Sequence, residues 1–304
     1  LARAICREAS AECKKDTTAR QVASAKTVAA VVILARADRK IAASVDVWDA
    51  DPWLLNTPES VIDLRTGSQR PNAPDLHMTK VTSTKPQGEC ACWLEFLERI
   101  TSGDRQLQDY IKRLAGYSLT GLTREHVLAF LYGTGANGKS VLLNSMSGLM
   151  GDYAMSAPME TFVASRNEHH PTELAMLRGA RLVTATETEE GRRWAESKIK
   201  ALTGGDAITA RFMRQDYFTF TPQFTLVVAG NHKPGLRNVD EAMRRRLHLV
   251  PFTVTIPAHE RDLQLEDKLK EEWPGILAWM IEGAIEWGGE GLQPPEVVRA
   301  ATDS

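Results

Sequence analysis

The sequence predicts an α/β fold, a parallel sheet flanked by helices and preceded by a smaller α+β domain, and three observations predict it. Downstream of residue 126, apolar strand-like runs at 127–132, 180–184, 224–229 and 247–252 alternate with helical stretches, the pattern of strands whose parallel pairing needs crossover helices. The first run leads into a glycine-rich segment and then a helical stretch closed by Gly151. Upstream of about residue 118 the texture differs: an alanine-rich stretch, short β-like runs, then two amphipathic segments. The expected domains are 1–118 and 119–304, and a chain of 304 residues has room for two at about 100–200 residues each.

Taken in order, residues 1–37 set spaced charges (Arg3, Arg7, Glu8, Lys14, Lys15, Arg20) among alanines, a composition of high helix propensity. Runs at 45–48, 61–64 and 78–82 follow, punctuated by Asp51-Pro52, Thr57-Pro58 and Thr66-Gly67, which reads as a small sheet or hairpins. Asp49 and Asp51 form a DxD, but Pro52 follows at once and Trp48 and Trp53 flank the pair, so a turn with capping carboxylates is the better account than a metal pair. Leu107, Tyr110, Ile111 and Leu114 carry helical spacing up to Gly116, as do Trp93, Leu94, Leu97 and Ile100 before them. Near the C-terminus Pro274 suits a first helical turn, and Ile276, Leu277, Met280, Ile281, Ala284 and Ile285 make an apolar stripe for core packing.

Composition narrows the function classes. With 43% hydrophobic and 25% charged residues, 21 Gly and 14 Pro, the chain is neither disordered nor collagen-like. A net charge of −2 means that any nucleic-acid affinity comes from local patches rather than an overall basic field. Cys6, Cys13, Cys90 and Cys92 include no paired CxxC sets and read as reduced packing residues. The apolar run 29–34 falls short of the ~20 residues that span a bilayer. No membrane partner is expected, and the cytosol is the expected compartment. A chain that starts at Leu1 and stops at Ser304 after a helix-like run is expected to be a segment of a longer protein.

The chemistry begins at 133–140, where Gly133, Thr134, Gly135, Ala136, Asn137, Gly138, Lys139 and Ser140 spell a complete GxxxxGKS, with Val141 opening the helix beyond. Strand, loop and helix stand in the order that a phosphate loop requires. The glycines let successive amides face inward, and the helix adds its positive end to the anion site. Lys139 is placed for the β and γ phosphates, and the Ser140 hydroxyl for Mg2+. About forty residues on, an apolar strand runs into Glu187, followed by Glu189 and Glu190. A carboxylate there holds Mg2+ and orients the attacking water; Glu187 is nearest the strand end and Glu189 is second. The strand 224–229 ends in Gly230-Asn231, placing an amide near the γ phosphate. Arg244, Arg245 and Arg246 stand just before the last strand, where one could serve a neighbouring subunit's nucleotide.

These residues together resemble a known family. GTGANGKS at 133–140, His-Pro-Thr-Glu-Leu-Ala at 170–175, Thr-Glu-Thr-Glu-Glu-Gly at 186–191, Lys-Ala-Leu-Thr-Gly-Gly-Asp at 200–206, Asn-His-Lys-Pro at 231–234 and the three arginines resemble the superfamily 3 helicase domain of phage and plasmid primases. Residues 47–52 and 62–67 look like the domain that precedes it in poxvirus-type and phage primase-helicases, so the resemblance covers about residues 40–300. It implies an AAA+-like P-loop NTPase forming a hexameric ring, ATP and Mg2+ as cofactors, and 3′-to-5′ movement on single-stranded or forked DNA during phage, prophage or plasmid replication in the bacterial cytoplasm. By the same resemblance Glu187 takes the Walker B role, Asn231 the sensor role, and Arg245 or Arg246 the finger role. The primase half is not expected, because nothing ahead of residue 40 offers its carboxylates and histidine.

Residues 198–221 match the stretch in which this family carries a hairpin into the ring's channel. Read alone, Gly204-Gly205-Asp206 signals a tight turn, and 207–212 and 217–221 read as two short strands joined by 213–216. From Arg192 to Arg214 six basic residues oppose two acidic ones, a local +4. Lys198, Lys200, Arg211, Met213 and Arg214 are the candidate DNA contacts, suited to a phosphate backbone without sequence preference. The competing readings are another nucleotide enzyme, a GTPase, for which no Asn-Lys-x-Asp stands in the chain, or a small-molecule kinase, and an ATP-binding ring scaffold or loader without unwinding activity.

Overall fold

The computed structural model describes residues 1–40, 42–164, 171–187, 194–232 and 240–303, with Pro171 described in its backbone alone. It divides into two compact units, Leu1–Ala50 and Asp51–Ser304. The first holds α1 (Ala2–Ala11), α2 (Asp16–Val22) and α3 (Ala25–Ala37). Ser24 caps α3 by accepting from Thr27 N at 3.2 Å, and Cys6 is buried among the three helices. Residues 45–47, expected as extended, form a 3-10 turn instead.

The second unit opens with a small antiparallel sheet, β1 (Leu54–Asn56), β2 (Ser60–Asp63) and β3 (Ser68–Pro71). Asp51 Oδ1 accepts from Trp53 N at 2.9 Å, the capping turn expected of the DxD. Residues 78–82 form no strand. Helices α4 (Ala91–Ile100) and α5 (Arg105–Leu119) follow. The remainder supplies β4 (Leu128–Tyr132), α6 (Lys139–Met150), β5 (Ala154–Ser156), α7 (Pro171–Ala175), β6 (Leu182–Thr186), α8 (Glu196–Gly204), β7 (Ile208–Ala210), β8 (Phe218–Phe220), β9 (Thr225–Gly230), α9 (Glu241–Arg244), β10 (Leu247–Pro251), α10 (Leu265–Glu271), α11 (Trp273–Glu290) and α12 (Glu296–Asp303).

Five strands form one wholly parallel sheet in the order β10-β4-β9-β6-β5. Its central strands are buried on both faces, which is why they read as continuous apolar runs. Along β4, Ala129 and Leu131 enter a core built with α4, α5, α6 and α11, while Leu128 and Phe130 enter the opposite core with Ile199, Leu202 and Trp194. The fold is thus the AAA+-like P-loop architecture, an α/β sheet with helices on both faces and a smaller N-terminal unit.

The expected boundary near residue 118 lies inside one core. Residues 55–119 share their apolar interior with α6 and α11, and α5 crosses α11 at backbone contact: a Cβ on Gly116 would stand 2.0 Å from Ala284 N. Arg181, 4% exposed, ties β6 to this region by donating to Leu119 O and Leu54 O, both at 2.8 Å. The Glu272 carboxylate, just before α11, accepts from Cys92 N and Trp93 N and supplies the N-terminal cap that α4 lacks locally. The helical stripe on α11 is buried as expected except at Ile285, which stays exposed. No single described helix is long and apolar enough to cross a membrane.

His248 on β10 shares a 2.8 Å hydrogen bond with Tyr110 of α5, and burial lowers its pKa from 6.5 to about 4. The unfolded chain takes up this proton below about pH 6.5 and the folded chain only below about pH 4. Stability therefore falls as pH drops through that window, by roughly 3 kcal/mol from this group. Urea unfolding at pH 7 and pH 4.5 is expected to show a smaller drop for His248→Gln than for the native chain.

Candidate nucleotide-binding site

Parallel pairing brings the carboxyl ends of four strands close to one level. Tyr132 at the end of β4 pairs with Gly230 of β9 and Pro251 of β10, and Thr186 of β6 pairs with Ala229. The loop 133–138, Glu187 and Asn231 each directly follow one of these strands, so they leave the sheet side by side at the edge where open α/β sheets bind ligands. The sequence separation between them is large, and the sheet removes it.

Within the loop, Gly133, Gly135, Ala136 and Gly138 hold φ of 154°, 95°, 50° and 84°, the curl that turns amides toward an anion. Thr134, Ala136 and Ser140 are exposed. Ser140 thus stands open at the start of α6, where its hydroxyl could hold a metal beside a phosphate. Lys139 is 6% exposed; its ammonium donates to Gly133 O at 2.7 Å and to Asn137 Oδ1 at 3.0 Å. Burial pulls its pKa down from the lysine range. Beside the loop opens a cavity of about 630 Å³ whose wall includes Phe96, Arg99, Gly138, Val141 and Glu260. Arg99 and Glu260 form an ion pair across that wall.

Glu187 is anchored by its own N–H, which donates to Ala229 O at 2.8 Å. Burial pushes its carboxyl pKa up, while the Trp194 indole N–H, donating at 3.4 Å, and His232 pull it back. Gly230 makes the space: a Cβ there would lie 2.9 Å from Glu187 Oε2 and 2.5 Å from the Phe130 ring. A half-buried, oriented carboxylate at this position can hold a cation or align water. Asn231 is exposed at the same edge. Glu189 lies outside the described residues.

The arginines sit at the other end of the sheet. Arg246 precedes β10, level with the start of β4, since Leu128 N donates to Arg246 O at 2.7 Å. Its guanidinium folds back to donate to Ala242 O at 2.8 Å and lies against Gly204. Arg244 reaches Asp303 at 3.9 Å. Arg245 is exposed and donates its backbone N–H to Glu241 O at 3.1 Å, but among the described residues its guanidinium has no hydrogen bond or ion pair.

The hairpin forms from β7 and β8, shorter than expected, with a longer tip at 211–217. Phe212, Met213 and Tyr217 are exposed there. The Arg211 guanidinium stands 4.7 Å over the Tyr217 ring, and Arg214 is exposed at φ 60°. Two of the candidate contacts are not at the tip. Lys198 turns inward to Thr161 O at 3.1 Å, and Lys200 pairs with Asp240, so both ammoniums serve the subunit's own packing. Arg192 and Arg193 lie outside the described residues. Sequence reasoning missed Trp194 as the partner of Glu187 and the cavity wall supplied by α4. The α4 wall arises from long-range packing, and Trp194, although only seven residues beyond Glu187, belongs to no motif that marks it.

Comparison with known proteins accords with this geometry. Residues 1–102 match the family described as D5 N terminal like, and residues 131–246 match a family of unknown function. A protein of Acanthamoeba polyphaga mimivirus with a provisional helicase name is 26% identical over 279 residues, 84% of this chain and 29% of that protein. One of Invertebrate iridescent virus 3, also provisionally named a helicase, is 24% identical over 240 residues, 75% of this chain and 25% of that protein. The chain thus spans less than a third of the length of these relatives. Among solved structures, an apo form of the NrS-1 C-terminal region matches with a TM-score of 0.59 at 12% identity, over 81% of this chain and 59% of that one, a likeness of fold. Fold and loop together have the architecture of an AAA+-like P-loop NTPase. Within that class the chain is similar to viral proteins that carry helicase names and, over residues 1–102, to the D5 N terminal like family.

Lys139→Ala is expected to remove triphosphate binding, measured by titration with a fluorescent ATP analogue. Trp194→Phe removes a donor from Glu187, so its carboxyl should stay protonated to higher pH. The acid limb of the kcat/KM profile for ATP is then expected to move upward.

Proposed function

We propose that this chain is the ATP-driven motor segment of a DNA helicase of phage, plasmid or viral replication, working as a ring, with six subunits as the expected number, that moves 3′ to 5′ on single-stranded DNA. One observation carries the reading. The loop 133–138, Glu187 and Asn231 share the carboxyl edge of the sheet, whereas Arg245 stands beyond its amino edge, a strand of five residues away. At about 3.3 Å per residue that is roughly 17 Å, so Arg245 serves no phosphate in its own loop and is free to serve a neighbour's. Arg244 and Arg246 are held by their own subunit, which favours Arg245 as the finger.

In this reading Lys139 and the loop amides gather the phosphates, Ser140 and Glu187 are the residues that would hold Mg2+, and Glu187 aligns the water. Mg2+ would neutralise developing charge on the phosphates. Asn231 contacts the γ position, and an incoming Arg245 stabilises the transition state. The hairpin tip, with Arg211, Met213 and Arg214, contacts the DNA. Tyr217 adds an exposed ring on which a base can stack. The second reading, an ATP-binding ring scaffold or loader, uses the same loop but needs no oriented carboxylate.

The test is ATP turnover with and without single-stranded DNA for the native chain, Glu187→Gln and Arg245→Ala. Each variant alone is expected to lose turnover by about a thousandfold while keeping ATP binding. Mixed together they are expected to regain part of it, because a loop with Glu187 then meets a neighbour with Arg245. Absence of rescue overturns the trans finger, full turnover in Glu187→Gln removes Glu187 from the chemistry, and a native chain that binds ATP without turning it over favours the scaffold.

A further inference from the structure

The phosphate loop is stitched to the chain that leaves β10. Asn137, 3% exposed, uses both ends of its amide: Nδ2 donates to Phe252 O at 3.0 Å, and Oδ1 accepts from Lys139 Nζ at 3.0 Å. A second stitch lies beside it, Ile256 N donating to Ala136 O at 2.8 Å. The Phe252 carbonyl enters the loop through space that Gly133 leaves open, since a Cβ there would stand 2.1 Å from that oxygen. The buried lysine is therefore held by two neutral acceptors, Gly133 O and Asn137 Oδ1.

The chemistry of the pair is selective. A primary amide offers an acceptor to a cation and a donor to a carbonyl at once, whereas a carboxylate offers no donor. A neutral acceptor also yields the ammonium to phosphate oxygens, which are charged and hydrogen bond more strongly. A carboxylate would hold the ammonium in a competing ion pair. Residues 252–266 continue from this stitch into the wall of the cavity beside the loop, so the amide also fixes the loop against that wall.

We propose that Asn137 is a positioning residue for Lys139, which sets triphosphate affinity by presenting the ammonium through Oδ1 while anchoring the loop to the end of β10 through Nδ2. This rests on the nucleotide-site reading above. In Asn137→Ala the ammonium keeps one acceptor and the loop loses its tie to Phe252. Loss of a hydrogen bond to a charged group corresponds to at least about tenfold in affinity.

The test measures ATP affinity of the full chain by titration with a fluorescent ATP analogue, together with steady-state turnover. Asn137→Ala is expected to raise KM for ATP about tenfold with kcat within threefold. Asn137→Asp is also expected to bind ATP at least about tenfold more weakly, because its carboxylate holds the ammonium in a competing ion pair and has no donor for Phe252 O. A rise in KM without a matching loss of kcat separates positioning from a structural role, and the aspartate variant reads the effect if the alanine variant does not fold. Affinity within twofold of native in either variant overturns the proposal. Undiminished binding in Lys139→Ala overturns the nucleotide site itself, so the two failures are distinguishable.

Discussion

Every functional distance in this molecule depends on the in-register pairing of β4 between β9 and β10. That ladder ends with Tyr132, Gly230 and Pro251 at one level, and a slip of one residue would turn Leu128, Ala129, Phe130 and Leu131 to the wrong cores. The apolar cost of such a slip protects the register. The geometry of the candidate site inherits this protection: the loop 133–138, Glu187 and Asn231 need no direct bonds to one another to stay adjacent, because strands buried on both faces hold their roots.

The same parallelism separates what must be separate. A strand has two ends, and β10 carries arginines before its first residue and the Phe252 carbonyl just after its last. One end reaches into the subunit's own loop through Asn137; the other faces away from it. A ring of such subunits would give each strand a cis contact and a trans contact, which is a simple way to tie the state of one nucleotide site to the next. Arg246 and Arg244 brace this arrangement through Ala242 O and Asp303, and the Lys200–Asp240 pair joins the helix that leads into the hairpin to the cap of α9.

Glu187 illustrates how the site is tuned by its surroundings. Its strand-end position puts it at the sheet edge that the loop 133–138 leaves, but the space for its carboxyl comes from the missing side chain of Gly230, and its ionisation is balanced between burial and the Trp194 indole. Neither neighbour belongs to the nucleotide motifs. An oriented, half-desolvated carboxylate is what distinguishes a hydrolytic P-loop site from one that only grips phosphate.

The sequence by itself determined the parallel sheet, its four long strands, the phosphate loop and the carboxylate after β6, because each is encoded by local apolar runs and by residues whose backbone freedom or charge is needed in place. It also marked the hairpin, through Gly204-Gly205 and the alternating residues beyond. It misplaced the boundary near 118, because α5 and β1–β3 join the same core as α11, and burial shared by segments over a hundred residues apart leaves no local trace. It counted Lys198 and Lys200 as DNA contacts, because a local charge excess does not reveal that Thr161 O and Asp240 claim them. Only the tertiary structure decided which of three consecutive arginines stands free, and that Asn137 grips both a lysine and a distant carbonyl. Such choices depend on where long side chains find partners, and packing sets that.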